Sequence, residues 1–162
     1  MDEYYAYYNS PIGVIHIKAN ERTLLSVMFL DNFQNTDLLL NFENDIVKQT
    51  MTQFTEYFAS QRKEFNLPVD FSLGTDFQQR VWSAVNSIAY GKTLSYLKLA
   101  QQLGSEKLVR AVGTANGRNP LLLIIPCHRV IGANGKLVGY AGALWRKQWL
   151  LEHESNDNRL VF

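Results

Sequence analysis

The chain has 162 residues and a mass of 18.6 kDa, with 46% hydrophobic and 19% charged residues and a formal net charge of +1. These values fit one medium globular domain or two small ones and exclude disordered and collagen-like chains. A disulfide scaffold is excluded as well, because Cys127 is the only cysteine. The small net charge hides a division: five Lys and Arg stand against ten Asp and Glu in residues 1–75, and eleven against five in residues 76–162. Such a split is what a chain shows when only its second half meets a polyanion. The acidic start MDEYYAYY lacks the basic-then-apolar order of a signal peptide. No apolar run approaches the roughly 18 residues of a membrane span. With a single cysteine suited to a reducing compartment, the expectation is a soluble, cytoplasmic protein with no membrane partner.

In chain order, YYAYY is β-prone and NSPIG is a turn cluster. VIHIKA alternates, with Ile15 and Ile17 on one face and Val14, His16 and Lys18 on the other. Asn20-Glu21-Arg22 would close a hairpin onto LLSVMFL, whose Leu25, Val27 and Phe29 share a face. A helical period follows, Val47, Met51, Phe54 and Phe58, opened by Asn44 or Asp45 as cap. His16 stands in a strand pattern without partners and reads as structural or surface. The Pro- and Gly-containing stretch FNLPVDFSLGTD marks a junction near 70–76, where the charge balance changes sign. Two domains, 1–70 and 76–162, are expected.

The second half opens with a helical stripe, Phe77, Val81, Trp82, Val85 and Ile88, with Asp76 as its cap. Ala89 to Lys92 breaks it, and Ser95 caps a helix through Leu97, Leu99, Ala100 and Leu103. After Gly104-Ser105, a further helix runs from Glu106 to about Ala115, so the pair is a helix-turn-helix candidate. Ala111, Gly113 and Ala115 crowd small side chains around Arg110, which weakens a helix but allows close approach of a partner, either another helix or a nucleic-acid groove. The apolar run Leu121 to Ile125 reads as a buried strand delivering Pro126-Cys127-His128-Arg129. A free cysteine is commonly just a small buried hydrophobe. Here the positive charge of His128 and Arg129 would favour the reactive thiolate. Adjacent residues of an extended segment point to opposite faces, so a bridging water or a local turn is needed to join His128 to the sulfur. One cysteine and three dispersed histidines fall short of a zinc site, so no metal is expected.

FQQRVW, YGKTLSY, RAVGTANGRNP, IIPCHRVIG and GYAGALWRKQWLLEHE, in that order and spacing from about Asp76 to Glu154, resemble the O6-alkylguanine-DNA alkyltransferase family. The resemblance implies an α+β protein. An N-terminal ribonuclease H-like domain, an antiparallel sheet with a helix, would support a C-terminal helical, winged-helix-like domain carrying the helix-turn-helix. It also implies a suicide reaction, in which Cys127 irreversibly takes the alkyl group from guanine O6, or from O4 of thymine, once per protein and without a cofactor. His128, acting through a water, resembles the base and Glu154 the carboxylate that orients it. Asn119 resembles the hinge that ties the turns around the site, and Tyr96 the phenol that protonates the departing guanine.

Arg110 resembles the finger that fills the gap left by a flipped base. Ala111, Gly113, Ser95, Arg118 and Arg129 join it as the implied DNA contacts, made by a monomer in the minor groove of double-stranded DNA. Val138, Gly139, Tyr140, Ala141, Gly142 and Trp145 correspond to the substrate pocket. Ala141 stands where some members have Ser, and Ala143 and Trp145 replace what is commonly Gly and a small residue. Trp145 either narrows the pocket against bulky alkyl groups or, as preferred here, packs as core on the closing helix. Two other functional classes fit the residues less well. A binding-only sensor of alkylated bases carries another residue at the cysteine. A cysteine hydrolase normally separates nucleophile and base in sequence and leaves Arg110 unexplained.

Overall fold

The computed structural model describes residues 2–31 and 40–155. The chain divides into two compact units, Met1–Asp70 and Phe71–Phe162. In the first, β1 (Tyr4–Ser10), β2 (Gly13–Ala19) and β3 (Leu24–Leu30) form an antiparallel meander in the order β1-β2-β3. Period-2 alternation puts Ile15, Ile17 and Val27 in the core. The expected inward position of Leu25 goes instead to Leu24, because a register shift at Lys18/Ala19 pairs Ala19 with Leu24 and leaves Leu25 as the extra residue.

Helix α1 (Asp45–Phe58) starts where Asn44 accepts the Val47 N–H at 3.0 Å, so Asn44 is the cap and Asp45 the first helical residue. Its buried face is Val47, Thr50, Phe54 and Tyr57, while Met51 and Phe58 lie on the flank, half-buried. Tyr8 meets this helix edge-on at Phe54 and through its hydroxyl at Thr55, 2.9 Å. Burying Phe54 completely contributes about 1.5–3 kcal/mol. The side chain of Gln53 fastens the return segment by exchanging hydrogen bonds with Asn66 N and O. His16 sits against the Tyr7 ring, centroids 5.0 Å apart, a packing role.

The second unit is mainly helical. Its first helix, α2 (Asp76–Asn86), is capped by Thr75 rather than Asp76: Thr75 and Gln78 form a reciprocal capping box. The inward stripe Val81, Trp82 and Val85 is buried, and Trp82 Nε1 donates to Ala115 O at 2.8 Å. Gly74 is required by this packing, since a Cβ there would lie 2.4 Å from the Trp82 ring. Helix α3 (Tyr96–Gln102) is capped by Ser95 and followed by a turn through Gly104, whose φ of +125° suits glycine. A 3-10 turn, Glu106–Leu108, then leads into α4 (Val109–Gly117), so the expected helix begins three residues late. Helices α3 and α4 pack together as a helix-turn-helix.

Residues Leu121–Ile125 are buried, as expected, but they are not a strand. They form a compact turn closed by Ile125 N–H to Leu121 O at 3.0 Å, with Leu123 at φ +73°. A fully buried turn and a fully buried strand show the same unbroken apolar run, so periodicity cannot separate them. Short strands β4 (Leu94–Ser95) and β5 (Val130–Ile131) pair in parallel and set the start of α3 beside the segment after Cys127. The closing helix α5 (Leu144–Glu154) buries Leu150, Leu151 and Glu154. Among the described residues no helix is long and apolar enough to cross a membrane.

Candidate active site

Cys127, His128 and Arg129 form a 3-10 turn, not an extended segment. Successive side chains therefore step about 120° round an axis instead of pointing to opposite faces. That local turn is one of the two ways the sequence allowed His128 to serve the sulfur. The turn is pinned from several sides. Cys127 N–H donates to Ile125 O at 2.7 Å, and Arg129 N–H to Pro126 O at 2.9 Å. Asn119 spans the buried loop before it, accepting from Leu121 N–H and donating Nδ2 to Ile125 O, each at 2.8 Å. From α4, Asn116 Nδ2 donates to Cys127 O at 3.2 Å.

Behind the turn, Glu154 is almost fully buried and receives His128 Nε2 at 2.9 Å. With Nε2 engaged by Glu154, Nδ1 is the ring nitrogen left to exchange a proton. Nδ1 is buried and has no hydrogen-bond partner among the described residues. Arg129 does not lie on a DNA-facing surface, as the resemblance implied. It is buried, donates Nε and Nη2 to Glu154 at 2.8 and 3.0 Å, and gives Nη1 to Ile88 O at 2.7 Å. Every direction of its guanidinium fork that these bonds use points inward. Burial alone would raise the Glu154 carboxyl, but the adjacent His128 and Arg129 outweigh it and hold Glu154 well below the usual carboxylate range.

Cys127 is 3% exposed, and burial pushes its thiol up to about 11, against the opposing effects of Asn119 and the Lys147 charge. The thiolate expected from its cationic neighbours is thus not the resting form: burial prevails, and the Arg129 charge is neutralised by Glu154.

The wall facing the turn is held by a lysine that sequence reasoning passed over. Lys147 is fully buried and donates Nζ to Val130 O, Val138 O and Gly139 O at 2.6, 3.0 and 3.1 Å. Burial lowers it to about 8, and the charge of Cys127 opposes that fall. The helical stripe Lys147, Leu150, Leu151, Glu154 carried the signal, since a cation there must face inward. Tyr96 donates its hydroxyl to the same Val138 O at 3.2 Å, and burial raises its phenol.

The Tyr140 hydroxyl is buried without a hydrogen-bond partner among the described residues, and its ring meets His128 edge-on with centroids 6.4 Å apart. Gly142 O accepts from Arg146 Nη1 at 3.0 Å, while Val138, Gly139 and Ala141 are exposed. Trp145 is neither core nor on the wall side. It is 55% exposed, carries the Arg146 guanidinium 4.6 Å over its ring, and lies about 200° round α5 from Lys147.

On α4, Arg110, Ala111, Thr114, Gly117 and Arg118 are exposed, a stripe of small residues with an arginine at each end. Gly113 is off this stripe, half-buried, with its Cβ position 4.0 Å from the Tyr96 ring. Ser95 serves as the α3 cap, accepting from Lys98 N–H at 3.0 Å.

The chain is similar to known proteins in both sequence and fold. Residues 76–156 match the family described as 6-O-methylguanine DNA methyltransferase, DNA binding domain, and residues 3–71 match its ribonuclease-like domain. A methylated-DNA–protein-cysteine methyltransferase of Mycobacterium leprae is 42% identical over 150 residues, covering 92% of this chain and 90% of the relative. One from Methanosarcina acetivorans is 42% identical over 155 residues, covering 94% and 99%. Among solved structures, the Mycobacterium tuberculosis O6-methylguanine methyltransferase superposes with a TM-score of 0.83 at 40% identity, covering 99% of this chain and 96% of that one. The Mycobacterium tuberculosis OGT in complex with DNA gives 0.82 at 43% identity, covering 93% and 91%. The chain belongs to the 6-O-methylguanine DNA methyltransferase family.

Proposed function

We propose that this protein repairs O6-alkylguanine in DNA by moving the alkyl group irreversibly onto Cys127, one lesion per chain. The observation that carries the reading is the buried Glu154–His128 pair, whose free Nδ1 is a base one residue from a cysteine that rests as a thiol. His128 takes the thiol proton through a bridging water, and Glu154 steadies the imidazolium that forms. The thiolate attacks the sp3 alkyl carbon in line. The S–C bond forms as the C–O6 bond breaks, and the electron pair moves into the purine. Tyr96 supplies the proton that neutralises the departing guanine. A thioether has no hydrolytic exit, so turnover stops after one event. No step calls for a cofactor or a metal.

Residues 76–162 are the DNA-binding and transfer domain and residues 1–70 a support domain; residues 156–162 lie outside the described residues. A stacked guanine cannot reach a buried sulfur, so the base is flipped at a cost of a few kcal/mol. Arg110 fills the vacated stack. The small-residue stripe of α4 lets the helix approach a minor groove, where binding is to backbone and shape rather than sequence. The chain acts as a cytoplasmic monomer. The test is intact mass spectrometry after mixing with a duplex bearing one O6-methylguanine. One added methyl group on the Cys127 peptide, saturating at one per chain, is the expected result; binding with unchanged mass overturns it in favour of a sensor.

A further inference from the structure

We infer that Arg129 is a positioning residue for the transfer: its guanidinium fork holds the Glu154 carboxylate in the orientation that meets the His128 ring, so the arginine acts on Cys127 through Glu154 and His128. The inference rests on the reading of His128 as the base and deepens it.

Glu154 is the last residue of α5. That is a poor place to fix a carboxylate, because the helix dipole is negative at its C-terminus and last turns fray. From the imidazole, Nε2 reaches Oε2 at 2.9 Å. One such bond leaves the carboxyl group free to turn about its last torsion, which is broad in glutamate. Arg129 removes that freedom. Its Nε donates to Oε1 at 2.8 Å and its Nη2 to Oε2 at 3.0 Å, and two parallel bonds fix the plane of the carboxylate.

The fork is itself held from outside the pair. Its third arm, Nη1, donates to Ile88 O at 2.7 Å, two residues beyond α2, and the Tyr90 ring centroid lies 5.7 Å from Cζ. The same segment closes on the end of α5, since a Cβ at Gly91 would lie 3.1 Å from Glu154 O. Arg129 thus ties the end of α2 to the end of α5. It also shares one 3-10 turn with Cys127 and His128. Nucleophile, base and the group that sets the base's carboxylate therefore stand on three consecutive residues. When His128 takes the thiol proton, the imidazolium finds Oε2 already in place, with no reorganisation at the moment of transfer. Lysine would keep the charge and lose the fork, because an ammonium is a point donor.

The test compares Arg129→Lys and Arg129→Gln with the unaltered protein in single-turnover repair of an O6-methylguanine duplex at saturating protein. Gel shifts on an unmodified duplex measure affinity, thermal melts check folding, and each variant is also made in a His128→Asn background. Either variant should slow the saturated rate by about tenfold or more, a part of what a positioned base contributes, with duplex affinity unchanged. In the His128→Asn background neither should slow it further. Affinity that falls while the saturated rate holds overturns the inference and makes Arg129 a DNA contact. Losses that multiply in the His128→Asn background overturn it too, as does full-rate transfer by a folded variant. If neither variant folds, the arginine serves the fold and the inference fails. Should His128→Asn alone transfer at the full rate, the reading of His128 itself fails, and the inference falls with it.

Discussion

Arg129 grips Glu154 through two hydrogen bonds, Nε to Oε1 at 2.8 Å and Nη2 to Oε2 at 3.0 Å, while Oε2 also takes the His128 ring. The carboxylate charge is thus balanced by a permanent cation as well as held by the imidazole. Glu154→Gln would leave the buried guanidinium without its anion, at a cost of about 3–5 kcal/mol. Because the folded carboxyl lies well below its free value of 4.5, the stability it contributes is present above that pH and is lost as pH falls below it. Unfolding free energies measured from pH 6 downward should therefore fall less steeply for the Gln variant. Parallel curves would show that the carboxylate is not what acid removes.

The thiol of Cys127, pushed up to about 11, makes a kinetic prediction. Below that value the thiolate fraction rises tenfold per pH unit. Iodoacetamide alkylation of the free protein should climb about a hundredfold from pH 7 to pH 9 with no plateau, as a plateau near neutrality would mark a resting thiolate. Cys127→Ala should abolish alkyl transfer and keep duplex binding, read by gel shift alongside intact mass; any remaining transfer would move the nucleophile elsewhere.

Arg110 stands exposed at one end of the small-residue stripe of α4. Filling a base stack matters only where there is a stack. Arg110→Ala should slow repair in duplex DNA far more than reaction with the free base O6-methylguanine, by about tenfold or more if the filled gap offsets even half of the flipping cost. Equal losses on the two substrates would remove the finger role.

Much of this was legible in the residues, and the failures have physical causes. The β1–β3 meander follows from alternation, but Leu24 and Leu25 are both apolar, so only the register shift at Lys18/Ala19 decides which faces the core. Asp76 and Thr75 are both good caps, and the Gln78 side chain that reaches back decides for Thr75. Pro126-Cys127-His128-Arg129 announced chemistry, yet nothing in its order reveals that the arginine turns inward to the same carboxylate, Glu154, that holds the histidine. Lys147 and Asn116 went unread for a related reason. Polar residues on an inward helical stripe look like noise in an apolar pattern until the carbonyls they serve, those of Val130, Val138, Gly139 and Cys127, are placed.

Trp145 should be dispensable. Its ring is half out of the protein with a guanidinium across it, on the side of α5 away from Lys147. Trp145→Ala should change stability by no more than about 0.5 kcal/mol, the range of ordinary surface substitutions. The ratio of repair rates for O6-benzylguanine and O6-methylguanine duplexes should also stay the same. A widened alkyl range in the Ala variant would put the ring in the pocket after all.

Ala143 holds the opposite balance, a small residue in a strained place. At φ +81° and ψ 147° it opens α5 in a backbone region that favours glycine, at a cost of about 1–3 kcal/mol for a residue with a Cβ. The strain is local to the junction between the wall loop and the helix that carries Lys147 and Glu154: Ala143 N–H closes onto Tyr140 O at 3.0 Å, and Ala143 O receives both Arg146 and Lys147 N–H. Ala143→Gly releases the strain and keeps those bonds, while glycine's extra freedom in the unfolded chain takes back roughly 0.5–1 kcal/mol. The net expectation is a gain of about 1 kcal/mol, visible as a rise of a few degrees in Tm with single-turnover repair intact. A Tm that falls on the change to Gly would mean that the methyl group packs usefully and that the left-handed geometry at Ala143 is relaxed in solution.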